Sequence, residues 1–223
     1  MVIYMYKVIR KEELKKINQY NWFRTFSNPC YGLDVKMDVT KVLEYSKRTK
    51  TSFFINVLYI ITQELNKIEE FRLREVNNEI RLYDYINPTF TVMTKNNIYE
   101  NTGFKYIKDY KSFYNTTKSV IEEVKNIDNV KETYNDNNLY NDFYITCAPW
   151  IAMESMTHPL PDNNIESSSV PRICWDKYRL EKDKYIFLLN ITVSHCFVDG
   201  YPLSLAFNNI QEAFNNIENE LGE

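Results

Sequence analysis

His195 is one of two histidines in the chain, the other being His158. It lies within Ser194–Gly200, SHCFVDG, with the carboxylate of Asp199 and the turn-forming Gly200 close behind it. An imidazole titrates near neutrality and can take a proton from a hydroxyl or a thiol. Asp199 has two available roles: it can hold the imidazole directly, or it can lock the turn through a cation. A purely structural turn also accounts for an Asp-Gly pair, and a motif this short does not separate these readings.

A base of this kind needs a rigid support. The residues ahead of it, Ile186–Val193, form an apolar run with β-branched members, which predicts a buried central strand that ends at His195. Leu203, Phe207, Ile210, Phe214 and Ile217 follow as the apolar stripe of a last helix. Upstream, Thr51–Ile68 carries apolar residues at spacings of three and four, which predicts a core helix. Tyr31–Met37 alternates as a strand does, and Asp38 or Thr40 is placed to cap a helix over Lys41–Lys47. Met1–Ile9 reads as an edge strand or an arm. Ile80–Tyr83 reads as a strand that Pro88 breaks before another begins at Thr89–Met93. Residues 104–127 read as one long helix, Asn126–Asn138 as a polar loop or short helix, Tyr144–Cys147 as a short strand and His158–Ser169 as a loop. No linker or repeat divides the chain. The expectation is one domain over residues 1–223, of the α/β class, with a mixed sheet and helices on one side.

Composition narrows the function. The 223 residues carry 27 basic and 30 acidic side chains, a formal charge of −3, which gives no general attraction to nucleic acid or to an anionic membrane. The N-terminus is interrupted by charge too early for a signal peptide, and no apolar run approaches spanning length. Cys30, Cys147, Cys174 and Cys196 form no C-x-x-C pair and no zinc-like grouping with histidine, so we expect free thiols, no metal and a cytoplasmic setting. The 18 tyrosines, 13 phenylalanines and 3 tryptophans exceed what a core requires and suit a cleft or a subunit interface. No dinucleotide fingerprint, P-loop, H-E-x-x-H or G-x-S-x-G is present.

The segment SHCFVDG resembles the H-H-x-x-x-D-G signature of the chloramphenicol acetyltransferase family, with Ser194 in place of the first histidine. Other segments match in order: NWFR at 21–24, NPCYG at 28–32, EFRLR at 70–74, YDYINPTFTV at 83–92, APW at 148–150, and Val170–Tyr178. The resemblance implies that family's two-layer sandwich of mixed sheet and helices. It implies a homotrimer with sites between subunits, binding a small hydroxyl acceptor, with acetyl-CoA as cosubstrate and no nucleic-acid or membrane partner. His195 would be the general base for direct acetyl transfer. Asp199 would pair with Arg24 and fix the loop, an arrangement favoured by bidentate Arg–carboxylate geometry. Phe23, Phe26, Cys30, Tyr31, Ala148, Leu160 and Cys174 would line the acceptor side, and Lys177 and Tyr178 the coenzyme side.

Departures from the family pattern accompany the match. The family serine that steadies the oxyanion is expected at Ala152, which has no donor; loss of one such donor costs about 3 kcal/mol of transition-state stabilisation. A family asparagine is expected at Ala148 and a family threonine at Cys174. These changes favour a different acceptor, or a weak or inactive homologue that still binds small molecules, as alternatives to chloramphenicol acetylation.

Overall fold

The computed structural model describes residues 5–131 and 139–222. In chain order it contains β1 (Tyr6–Ile9), α1 (Ile17–Phe23), β2 (Cys30–Asp38), α2 (Thr40–Thr49) and α3 (Phe53–Asn66). Then come β3 (Leu73–Val76), β4 (Glu79–Tyr83), β5 (Asn87–Met93), β6 (Tyr99–Gly103) and α4 (Tyr110–Lys125). The last part holds β7 (Asp142–Ala148), α5 (Ile165–Ser168), β8 (Arg172–Asp176), β9 (Arg179–Glu181), β10 (Lys184–Ser194), α6 (Gly200–Asn215) and α7 (Ile217–Leu221).

The strands form two sheets. A seven-stranded sheet runs β2-β10-β8-β7-β5-β6, with β9 also paired to β10, and a three-stranded sheet runs β1-β4-β3. The large sheet is mixed: β5–β7 and β7–β8 are parallel, and its other pairs are antiparallel. The central strand expected from Ile186–Val193 is β10. It extends beyond the expected span by exposed Lys184 and half-buried Tyr185 at its start and buried Ser194 at its end.

One face of β10 gives Phe187, Leu189, Ile191 and Val193 to the core, where α3 and α6 pack. The other face carries Asn190, Thr192 and Ser194, all buried. Their polar atoms are met within the protein. Asn190 donates to Asp34 at 2.8 Å, accepts from Thr192 at 2.9 Å and bonds the His158 ring at 3.1 Å. Gly32 pairs with Thr192 across the β2–β10 ladder, and a Cβ there would lie 2.4 Å from the Thr192 hydroxyl, so the close approach requires glycine.

Helix boundaries follow their caps. Ser52 accepts from the Ile55 N–H at 3.4 Å and opens α3, which is apolar almost all round and accordingly buried. Asp109 accepts from the Ser112 N–H at 2.9 Å and starts α4 at Tyr110. The helix expected over 104–127 is therefore shorter at its N-terminus, and Phe104 packs edge-on against Phe113 instead. Pro88 does not break a strand but sits inside β5, next to its first residue, a position where a strand tolerates a missing donor. Asn126–Asn138 is only partly described, since 132–138 lie outside the described residues, as do residues 1–4 of the expected N-terminal strand.

The small sheet meets the large one at Arg74. This side chain is fully buried. Its guanidinium donates to the carbonyls of Phe71 at 2.9 Å, Leu73 at 2.8 Å, Tyr140 at 2.8 Å and Asp142 at 3.1 Å. Burial pulls its pKa down to about 9. Among the described residues no helix is long and apolar enough to cross a membrane, and no His/Cys/Asp/Glu group could hold a metal ion.

Candidate active site

His195 follows the last residue of β10, and its own N–H donates to the Pro29 carbonyl at 2.9 Å. The turn closes through the Phe197 and Val198 N–H groups, both bonded to the Ser194 carbonyl at 3.1 and 3.0 Å. The imidazole lies between two aromatic rings. Phe23, from the end of α1, stacks on it at 3.9 Å between centroids and 10° between planes. Tyr31, from β2, lies on it at 4.5 Å and 30°. Phe26 packs edge-on against Phe23 at 5.3 Å. The Nδ1 atom of His195 is buried and makes no hydrogen bond among the described residues, and the Tyr31 hydroxyl shares that condition. Burial pushes the Tyr31 phenol up to about 12, with Asp199 adding to the shift. Phe23 and Tyr31 thus meet His195 and Phe26 packs behind Phe23, while Cys30, opposite Ser194 on the β2–β10 ladder, donates its thiol to the Ser168 carbonyl at 3.4 Å.

The ion pair expected between Arg24 and Asp199 does not form. Asp199 caps α6 through the Tyr201 N–H at 3.2 Å and pairs with Lys16 at 2.6 Å. Arg24 instead donates its Nε to both oxygens of Glu75 at 3.1 and 3.0 Å. Glu75 is completely buried and also accepts from the Tyr20 hydroxyl at 2.8 Å. The physical reason is the demand of the buried carboxylate: left alone it would be far costlier than a half-exposed Asp199, so the guanidinium serves Glu75. Lys16 and Glu75 are the site-supporting residues that sequence reasoning missed. Lys16 sits in a run of charged residues with nothing to distinguish it, and Glu75 lies in a short strand whose polar residues hid it.

A second feature lies at the other end of β10. A cavity of about 730 Å³ is walled by Phe53, Phe54, Trp175, Cys147, Thr91 and Thr146, with Lys177, Tyr178 and Lys125 also lining it. Lys177 and Tyr178, expected on the coenzyme side, both line this cavity. The hydroxyls of Thr91 and Thr146 bond each other at 2.8 Å. Ala152 is exposed on the loop after β7 and is not among the residues that line the cavity within one chain. Its neighbour in sequence, Met153, turns inward to donate its N–H to Asp176 at 2.6 Å. Cys174 is buried on β8, its thiol directed to the Trp175 carbonyl, and it lines none of the cavities described here. Ala148, at the end of β7, and Leu160, in the following loop, are half-buried and likewise line none of them. Burial pushes the Cys147 thiol up to about 12.

Trp175 of the cavity pairs with Leu189 on β10, and His195 lies beyond that strand's far end. At about 3.3 Å per residue, base and cavity are roughly 20 Å apart on one chain.

A model of the family described as "Chloramphenicol acetyltransferase" matches residues 4–211. The chain belongs to the chloramphenicol acetyltransferase family. A chloramphenicol acetyltransferase of Bacillus pumilus is 25% identical over 199 residues, covering 88% of each chain. Chloramphenicol acetyltransferase 3 of Escherichia coli is 26% identical over 197 residues, covering 84% of this chain and 87% of its own. A solved chloramphenicol acetyltransferase superposes with a TM-score of 0.82 at 22% identity, covering 93% of this chain and 99% of the other. The Azotobacter vinelandii dihydrolipoamide acetyltransferase shares the fold more distantly, with a TM-score of 0.66 at 12% identity over 92% of this chain and 88% of its own. The mixed sheet with its helices is the fold of the chloramphenicol acetyltransferase family, and that family is one of acyltransferase enzymes.

Proposed function

We propose that this chain transfers the acetyl group of acetyl-CoA to a hydroxyl of chloramphenicol or a related small molecule. His195 takes the proton of the acceptor hydroxyl, and the oxygen attacks the thioester carbonyl. The tetrahedral intermediate collapses, expels the coenzyme thiolate, and the imidazolium returns the proton to that sulfur. For the intermediate's oxyanion, the Thr146 hydroxyl on the large cavity's wall is the fitting donor, in place of the serine expected at Ala152. The cavity's volume and apolar walls, with Lys177 and Lys125 among its lining cations, suit a phosphate-bearing thioester.

The roughly 20 Å between His195 and the cavity on one chain supports a site completed between copies, the base from one and the cavity from its neighbour, in a homotrimer. Free thiols at Cys30, Cys147, Cys174 and Cys196 support a reducing, cytoplasmic setting.

The observation that carries this reading is the clamped imidazole at the end of β10, in a chain of this family. Incubation with acetyl-CoA and chloramphenicol, followed by thiol release, tests it. Turnover that falls by at least about a thousandfold in His195→Ala is the expected result. Coenzyme binding with no turnover of any alcohol would point to a binder without the chemistry. A second reading, the same transfer to a more polar acceptor, is favoured by Arg24, which lines a small cavity beside the clamp.

A further inference from the structure

Phe23 forms one face of the His195 clamp, and the helix that carries it has little of its own to hold it down. α1 spans seven residues, and Tyr20 is the only one of them that is buried. No side-chain hydrogen bond caps its N-terminus among the described residues. A helix this short is marginal in water and takes its order from docking. Trp22 is exposed and Phe23 only half-buried, so the apolar share of that docking is small.

The rest falls on one carboxylate. Tyr20 and Arg24 stand one helical turn apart and share a face, with Phe23 between them in sequence. The Tyr20 hydroxyl donates to Glu75 at 2.8 Å, and the Arg24 Nε donates to both of its oxygens at 3.1 and 3.0 Å. Glu75 is itself firmly seated. It lies in β3 opposite Ile80 of β4, and its neighbour Arg74, on the other side of the strand, ties β3 to the carbonyls of Tyr140 and Asp142. The Tyr20 ring also packs against Phe197 at 5.7 Å, in the turn that His195 opens. One buried carboxylate therefore reaches the helix that carries Phe23 and, through Tyr20, the turn that carries the imidazole. An apolar side chain at this position would fill the same space, but it could not fix the direction of two donors.

We propose that Glu75 is a positioning residue for the base: its grip on Tyr20 and Arg24 seats α1 so that the Phe23 ring lies flat on His195. The consequence for catalysis rests on the acetyl-transfer reading, whereas the placement of the ring is measured without turnover.

The chain has two histidines, so protein carrying isotope-labelled histidine gives two imidazole signals, and His158→Gln leaves that of His195 alone. Stacking at 3.9 Å puts the His195 ring protons in the shielding region of Phe23, upfield of a free imidazole. Phe23→Leu removes that shielding and marks the full effect. Glu75→Gln keeps the shape and removes the charge; it should carry the signal most of the way to the Phe23→Leu position. Tyr20→Phe loses only a hydroxyl and should carry it part of the way. In acetyl transfer, Glu75→Gln should lower kcat severalfold with the acetyl-CoA KM little changed. The Phe23→Leu/Glu75→Gln chain should be no slower than the slower single variant, since both changes act through one ring. A His195 signal that stays in place in folded Glu75→Gln, or in Tyr20→Phe where Glu75→Gln does not fold, overturns the proposal. So does a double variant whose loss is the product of the two single losses. A displaced signal without transfer to any alcohol upholds the positioning role and refutes the transferase reading. Transfer with an unmoved signal does the reverse.

Discussion

A catalytic imidazole is commonly oriented through the nitrogen that does not meet the substrate. His195 is held by its faces instead, between Phe23 and Tyr31, while its buried Nδ1 has no hydrogen-bond partner among the described residues. Contacts of this kind contribute roughly 0.5–1.5 kcal/mol each. Phe23→Leu should therefore lower kcat by up to about tenfold with a smaller effect on the acetyl-CoA KM, as read from steady-state kinetics. Tyr31→Phe keeps the ring and removes an unpartnered buried hydroxyl, so thermal denaturation should give a Tm equal to or above that of the parent. The cavity thiol makes a different prediction. With Cys147 raised by burial to about 12, the reactive thiolate is scarce at neutral pH and appears only as pH climbs toward that value. Iodoacetamide at pH 8 should label Cys147 far more slowly than it labels a small free thiol, as read by mass spectrometry.

Among the elements, the loop between β7 and β8 shows how a site wall is held. His158 fastens it to Asn190, and Asn190 fastens it to the edge strand through Asp34. Burial lowers the His158 pKa against the opposing hydrogen bond that the ring makes to the Asn190 side-chain oxygen. A depressed imidazole favours the folded loop above the ordinary value near 6.5 and loses that contribution as pH falls through it. Hydrogen exchange over residues 150–165, corrected for intrinsic rates, should be faster at pH 5.5 than at pH 7.5, and His158→Gln should remove the difference. Sequence periodicity was enough to find β2, β10, α3 and α6, because their apolar residues recur without interruption. It missed β3, where Arg74 and Glu75 are buried as partners of distant groups, and β6, whose YENTG sequence carries little strand signal. The placement of His195 at a strand end was legible from the residue pattern, while Phe23 and Tyr31 came into view only through the family resemblance. The partner exchange that gives Lys16 to Asp199 and Arg24 to Glu75 was not, since it depends on which carboxylate is buried.

For the molecule as a whole, a base at one end of β10 and a cavity at the other suit a ring of copies. Light scattering should give the mass of a trimer. Complementation is the sharper measurement: His195→Ala and Thr146→Val chains, unfolded and reassembled together in equal amounts, would pair an intact histidine with an intact cavity wall at roughly a quarter of shared sites. Activity near that fraction, from two preparations that are each nearly inactive, is the expected outcome; none above their sum would mean that each chain works alone. Arg74 bears on the same scale. Because a single guanidinium ties Phe71 and Leu73, at the small sheet, to Tyr140 and Asp142, at the start of β7, neither sheet can melt without stranding hydrogen-bond acceptors of the other. Heat should consequently dismantle both in one cooperative calorimetric peak, and trimming that guanidinium to Ala should split the peak in two.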